Sequence, residues 1–178
     1  MHSLGVIHGR FQVLHNDHLK YLLAGKARCE HLVVGITNPD PILSRVDQAD
    51  HARSTLSANP LTYFERYQIV VAALNDAGMG SHNFSVVPFP INLPELYRFY
   101  VPLDSAFFIT ICDTWGERKL DLLCSGQGLH VEVLWRRTPD TKGLTGTEIR
   151  RRMVCGEPWE HLVPRSSARL LRRWNVLG

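Results

Sequence analysis

The residues best equipped for chemistry lie close to the amino terminus, where Gly9, Arg10, Gln12, His15 and His18 fall within ten positions of one another. They follow a short apolar run, 4–8, and precede a segment of helical period, so they occupy a strand-to-helix crossing. At such a crossing the first turn of the helix offers free N–H groups and a partial positive charge, which suits a phosphate group. His15 and His18 are three apart, share a helix face and could both donate to phosphate oxygens. Two other readings stand beside this one. The pair could cap the helix or pack in the core, or could ligate a metal with His8 or Asp17 as a third partner, though no convincing zinc set results.

A second cluster comes late in the chain. Thr145-Gly-Thr-Glu148 has the form of a capping box and opens a helix to about position 155, ended by Gly156 and carrying Arg150, Arg151 and Arg152. An arginine fork beside a helix N-terminus is a favourable phosphate site. There is no G-x-S-x-G, no P-loop and no G-x-G-x-x-G after the first strand, which counts against esterase, ordinary kinase and dehydrogenase chemistry.

The elements that must hold these clusters can be read from the apolar pattern. Runs at 4–8, 31–37, 84–89, 106–112 and 130–135 have strand length and are apolar throughout, and helical segments at 18–28, 62–75 and 116–124 separate them. Continuously apolar strands alternating with helices predict an α/β fold, a doubly wound parallel sheet of about five strands with helices on both faces. Thr62-Tyr-Phe-Glu65 is a capping box for the helix over 62–75. Asp113 and Trp115 follow the fourth strand, at the carboxyl edge where parallel sheets bind ligands; Trp115 could stack on a base or cap the core.

Two connections stand out. The stretch 38–60, rich in Asp, Ser, Pro and Asn, is long for a strand-helix link and suits a substrate-covering loop. The stretch 88–102 is rich in proline and aromatics, with a short helix expected at 95–100. The end of the chain, about 157–178, reads as a helical tail of a single domain spanning 1–178, with Leu170, Leu171 and Trp174 on one side and Arg169, Arg172 and Arg173 on the other. A solvated basic face is the expectation there, with a nucleic-acid contact or a subunit contact in a homo-oligomer as the alternatives.

With 178 residues, 44% of them hydrophobic, the chain can bury a full core. Its net charge of +3 and lack of a nucleic-acid-binding motif argue against a nucleic-acid partner. The longest apolar runs fall far short of the roughly 20 residues that span a bilayer. The start enters a strand at once without signal-peptide features, so no membrane partner and a cytoplasmic location are expected. The four cysteines, widely spaced with no C-x-x-C, are expected to be reduced thiols.

Taken together, GRFQVLHNDH at 9–18, LTYFER at 61–66 and TGTEIRRRM at 145–153 resemble the motifs of the nucleotidyltransferase superfamily. That superfamily has H-x-G-H after the first strand and [ST]-x-T-x-x-R at a late helix start. The resemblance is greatest to the archaeal-type nicotinamide-mononucleotide adenylyltransferases, with G-R-x-Q-P-x-H-x-G-H, F-T-x-x-E-R and S-G-T-E-[IV]-R-R-R-M in the same order. It implies in-line attack of a phosphate-bearing acceptor on the α-phosphorus of ATP, with Mg²⁺ assisting and pyrophosphate leaving. The protein's part is then to position the reactants and neutralise charge.

By the same resemblance His15 and His18 contact the triphosphate and Arg150 grips its β- and γ-phosphates. Gly9, Arg10, Phe11, Gln12, Asp113, Thr145 and Thr147 surround the nucleotide, and Tyr97, Trp115 and Arg53 are the candidates for the acceptor. Departures from the pattern cluster on the acceptor side. Tyr97 stands for a nicotinamide-stacking tryptophan, Ala58 replaces an arginine and leaves Arg53 nearest, and Asp17 occupies the glycine of H-x-G-H. A carboxylate about 4 Å from a phosphate charge costs on the order of 4 kcal/mol at an effective dielectric near 20. Asp17 is therefore expected to point away or to pair with Lys20. Nicotinamide mononucleotide, or its nicotinate analogue, is the leading acceptor. The alternatives are another phosphate or phosphonate with ATP or CTP, or a nucleotide sensor with little turnover.

Overall fold

The fold is described from a computed structural model, which describes residues 1–43, 55, 58–138, 141 and 143–176. Five strands form one sheet: β1 (His2–Gly9), β2 (Cys29–Thr37), β3 (Phe84–Phe89), β4 (Ala106–Ile111) and β5 (His130–Arg136). Their order is β3-β2-β1-β4-β5 and every pairing is parallel. The helices are α1 (Asn16–Lys26), α2 (Tyr63–Asp76), α3 (Thr114–Asp121), α4 (Gly146–Cys155) and α5 (Arg165–Trp174). The chain winds outward from β1 to β3, then crosses back to place β4 on the other side of β1. The strand order reverses between β1 and β4, and a crevice opens at their carboxyl ends.

Because β1 is buried on both faces, successive residues go to opposite cores. Ile7 packs with Leu22, Val34, Ile69, Val70 and Leu171, while Val6 packs with Val33, Phe89, Tyr97, Phe107 and Leu123. Four of the predicted strands fall within two residues of those observed, and the fifth, 84–89, coincides with β3. Helix starts differ more. α1 begins at Asn16, two residues ahead of the expected start, because the His15 side chain serves as its N-cap. α3 likewise begins early, capped by Asp113, whose carboxylate accepts the Gly116 N–H at 3.0 Å.

The box at Thr62 forms in full, with Glu65 returning to the Thr62 N–H at 2.7 Å. The one at Thr145 forms by half. Thr145 accepts the Glu148 N–H, but the Glu148 carboxylate turns to Arg151 and Arg152, at 2.9 and 2.8 Å. The expected helix at 95–100 is a 3₁₀ segment, Pro94–Phe99. The tail helix α5 lies against α2, burying Leu171 and Ala168, with Arg169 3.7 Å from Asp76. Its apolar side is therefore covered by the chain itself. All four cysteines are unpaired, and no helix among the described residues is long and apolar enough to cross a membrane.

Candidate functional site

The crevice at the β1–β4 switch point has a cavity of about 400 Å³. Its walls come from the turn after β1 (Gly9, Arg10, Phe11, Gln12), the start of α1 (His15, Asp17, His18), the start of α3 (Asp113, Trp115) and the start of α4 (Thr145, Thr147, Arg150). The two motif clusters, some 130 residues apart in sequence, thus face one another.

Their approach is fixed at Gly146, the first residue of α4. A β-carbon there would lie 2.8 Å from Gln12 C and Val13 N and closer still to the Gln12 carbonyl oxygen. Only a residue without a side chain lets the helix start sit on that peptide. Arg150 ties the same contact from the other side. Its guanidinium donates to the Gln12 carbonyl and, at 3.3 Å, to the Thr147 hydroxyl. Half-buried, it remains a cation, since burial lowers but does not abolish an arginine's charge.

The two histidines stack, ring centroids 3.7 Å apart, with the Phe11 ring edge-on to His18. The Nδ1 of His15 accepts the His18 backbone N–H at 3.3 Å, which leaves its proton on Nε2, as a donor. Burial lowers the His15 pKa to about 4, and burial together with the neighbouring His15 pushes His18 well below its ordinary value. In the open cleft both imidazoles are therefore neutral. They offer hydrogen bonds, and the positive charge comes from arginines and helix ends. A bound triphosphate would raise both pKa values by opposite charge. His8, at the end of β1, is also buried and neutral. It lines the cleft with its ring against Phe89, and neither nitrogen has a hydrogen-bond partner among the described residues.

Asp17 lines the cleft with its carboxylate paired, to Lys20 as expected and to two groups from the far end of the chain. Its carboxylate accepts the Leu144 N–H at 3.0 Å and lies 3.4 Å from Lys20 Nζ and 3.8 Å from Arg137 Nη1. Burial alone would raise its pKa, but the Leu144 N–H and Lys20 hold it below the ordinary carboxylate value. Among the described residues, the three side chains placed to share a cation are His2, His130 and Glu132, at the opposite end of the sheet. The metal reading of His8, Asp17, His15 and His18 has no such grouping.

Several expected site residues take other roles. Tyr97 is 1% exposed, stacks on Phe89 and donates its hydroxyl to the Ile91 carbonyl. It belongs to the core and cannot stack on an acceptor. Gln12 spends its amide on Leu61, donating to its carbonyl at 2.8 Å and accepting its N–H at 2.9 Å. Phe11, with φ of 51°, folds its buried ring under Gly9, where a β-carbon would lie 2.9 Å from it. Both residues therefore shape the turn, and their side chains are not ligand groups. Asp113 and Thr145 act as helix caps at the cleft wall. Trp115 is half-buried on that wall. Arg53 and most of the expected covering loop lie outside the described residues; Asn38 and Ala58, near its ends, line the cleft.

Arg66 closes the LTYFER motif, and its role is structural support of the site. It is 1% exposed and donates to the carbonyls of Arg10, Thr37 and Asn38 at 3.0, 2.7 and 2.7 Å. Burial lowers its pKa to about 10, leaving it charged at neutral pH. It thus gathers the carbonyls at the ends of β1 and β2 beneath the site. A charged side chain in an otherwise helical apolar face was the available signal.

A switch-point crevice lined by two helix starts, stacked histidines and an arginine fork has the geometry and chemistry to receive phosphate groups, and it lies on a Rossmann-like fold. No protein-family model matches the chain. It is 47% identical over 172 residues, 97% of this chain and 92% of the relative, to a phosphonoformate cytidylyltransferase of Streptomyces viridochromogenes. To a nicotinamide-nucleotide adenylyltransferase of Thermococcus kodakarensis it is 35% identical over 169 residues, 94% of this chain and 81% of the relative. In fold it is similar to a bifunctional NMN adenylyltransferase/ADP ribose pyrophosphatase from Francisella tularensis, with a TM-score of 0.67 and 14% identity. That match covers 98% of this chain and 50% of the other, so this chain spans half of that protein. The chain belongs to the nucleotidyltransferase superfamily, and its activity is nucleotidyl transfer.

Proposed function

We propose that this nucleotidyltransferase joins a cytidylyl group from CTP to a small phosphonate. The observation that carries this reading is the 47% identity, spread over 97% of the chain, to a phosphonoformate cytidylyltransferase. The burial of Tyr97 agrees with it, because the aromatic expected to stack on nicotinamide is absent from the cleft. An oxygen of the phosphonate attacks the α-phosphorus of CTP, the new P–O bond forms opposite the bridge to the β-phosphate, and that bridge breaks to release pyrophosphate. No covalent enzyme intermediate is needed.

In this reading His15 donates from Nε2 and His18 adds a second imidazole at the α-phosphate, where charge develops. Arg150 and the start of α4 hold the leaving pyrophosphate, and Arg10 adds charge beside β1. Mg²⁺ would neutralise the triphosphate. Among the described residues the carboxylates lining the cleft are Asp17, bound to Leu144 and Lys20, and Asp113, which caps α3 through one oxygen, so Asp113 is the side chain that would help the phosphate oxygens hold the ion. The second reading, adenylyl transfer to nicotinamide mononucleotide, is favoured by the 35% identity to the archaeal enzyme.

A pyrophosphate-release panel separates them: CTP or ATP, with Mg²⁺, against phosphonoformate or nicotinamide mononucleotide. The expected result is fastest release with CTP and phosphonoformate. Preferential dinucleotide formation from ATP and the mononucleotide would replace this reading with the second. Nucleotide binding without turnover of any acceptor would make the protein a sensor.

A further inference from the structure

The segment joining β5 to α4 carries another guanidinium to the cleft. Arg137 follows β5 directly, and its backbone N–H donates to the Ile111 carbonyl at 2.8 Å, which fixes where the side chain departs. The guanidinium lies 5.5 Å from the Trp135 ring centroid, and its Nη1 is 3.8 Å from Asp17 Oδ2. Its side chain remains 32% exposed and lines the cleft on the same wall as Leu144, Thr145 and Thr147.

Asp17 is the hub of this corner. Besides Arg137 it engages the Leu144 N–H and Lys20. Gly143, at φ 80°, packs so closely that any β-carbon there would run into the Asp17 carboxylate and come within 3.4 Å of Arg137 Nη1. The segment before α4 is thus built around the carboxylate.

We propose that Arg137 is a further triphosphate-binding residue and that Asp17 is the positioning residue that aims it. A nucleoside triphosphate carries several negative charges into a cleft whose two stacked histidines are neutral, so fixed cations must meet them. A planar guanidinium can face a carboxylate with one edge and a phosphate with another, and one already tethered loses less freedom on binding. Asp17 offsets its own repulsion of phosphate through Lys20 and Arg137. The proposal requires only a triphosphate donor, as superfamily membership supplies; it does not depend on the base or the acceptor.

The test is calorimetric titration of inorganic tripolyphosphate and of CTP into the wild type, Arg137→Gln, Asp17→Asn and the double variant, with melting temperatures confirming that each is folded. Arg137→Gln is expected to weaken both ligands about tenfold, and Arg137→Lys to recover part of the loss. Asp17→Asn keeps an acceptor for Leu144 but removes the charge, and should weaken tripolyphosphate severalfold. On the Arg137→Gln background it should have little further effect. In turnover, the triphosphate KM should rise while the acceptor KM holds.

Unchanged tripolyphosphate affinity in Arg137→Gln would overturn the assignment of Arg137. Tighter binding by Asp17→Asn would show that repulsion dominates, and additive losses in the double variant that Asp17 acts independently; either overturns its positioning role. A wild type that binds tripolyphosphate yet turns over no phosphonate with CTP would refute the proposed function and leave this test intact.

Discussion

Gly146→Ala is the sharpest test of how the two halves of the site meet. In an unobstructed first turn this change would favour a helix, since alanine exceeds glycine by up to about 1 kcal/mol in helix propensity. At position 146 the new methyl would sit 2.8 Å from backbone atoms of Gln12 and Val13, and nearer still to the Gln12 carbonyl oxygen. Backbone cannot swing aside as a side-chain tip can. Restoring ordinary van der Waals separation requires α4 and the turn after β1 to part by roughly an ångström. That displacement also opens the Arg150 contact with the Gln12 carbonyl and moves Arg150 relative to His15 and His18. A misplacement of about 1 Å can cost on the order of a hundredfold in rate. The expected outcome is a kcat lower by about that factor, with a cooperative melting transition retained. Pyrophosphate release at saturating substrates and thermal unfolding measure the two quantities. A kcat within threefold of wild type would refute the reasoning, because it would show that catalysis does not depend on this close approach.

Further substitutions test the remaining roles. His18→Ala should lower turnover by a hundredfold or more, corresponding to roughly 3 kcal/mol of transition-state stabilisation; single-turnover rates check it. Tyr97→Phe keeps the stack on Phe89 but loses the hydrogen bond to Ile91, so it should lower the unfolding free energy by about 1 kcal/mol while leaving the acceptor KM unchanged. Arg66→Lys cannot reach the carbonyls of Arg10, Thr37 and Asn38 together, and should cost about 3 kcal/mol in urea unfolding. The buried histidines predict a stability slope. Their folded pKa values are depressed, so the unfolded chain binds more protons between pH 6.5 and about 4, the value for His15. Stability is then fully present above pH 6.5 and falls as the pH drops, by up to about 1.4 kcal/mol per pH unit and histidine. His8→Leu should flatten the melting-temperature profile across that window.

The sheet was legible because burial on both faces forces long apolar runs, and the helices between them left parallel pairing as the consistent arrangement. The strand order around β1 was not written in any local pattern; it depends on the crossover that carries the chain from β3 to β4. Helix starts were displaced where the cap was chemically unexpected. A histidine ring at position 15 does the work usually left to serine or aspartate, so α1 begins inside the motif that carries the chemistry.

The candidate site residues stand out by type, spacing and family resemblance, but type does not reveal commitment. Gln12 and Tyr97 have the polar or aromatic character of ligand groups, yet Gln12 is taken by Leu61, 49 positions along the chain, and Tyr97 by Phe89 in the core. Arg66 shows the converse, since a charge expected at the surface lies at the core because five carbonyls converge on it. Asp17 combines both lessons. In sequence it is a carboxylate replacing a glycine where phosphate should approach, with Lys20 as the one relief in view. In the fold Lys20 is joined by Leu144 and Arg137, more than a hundred residues away, and the glycine that close packing demands reappears across the contact, at position 143. The substitution in the first motif and the composition of the segment before α4 are thus two sides of one packing solution.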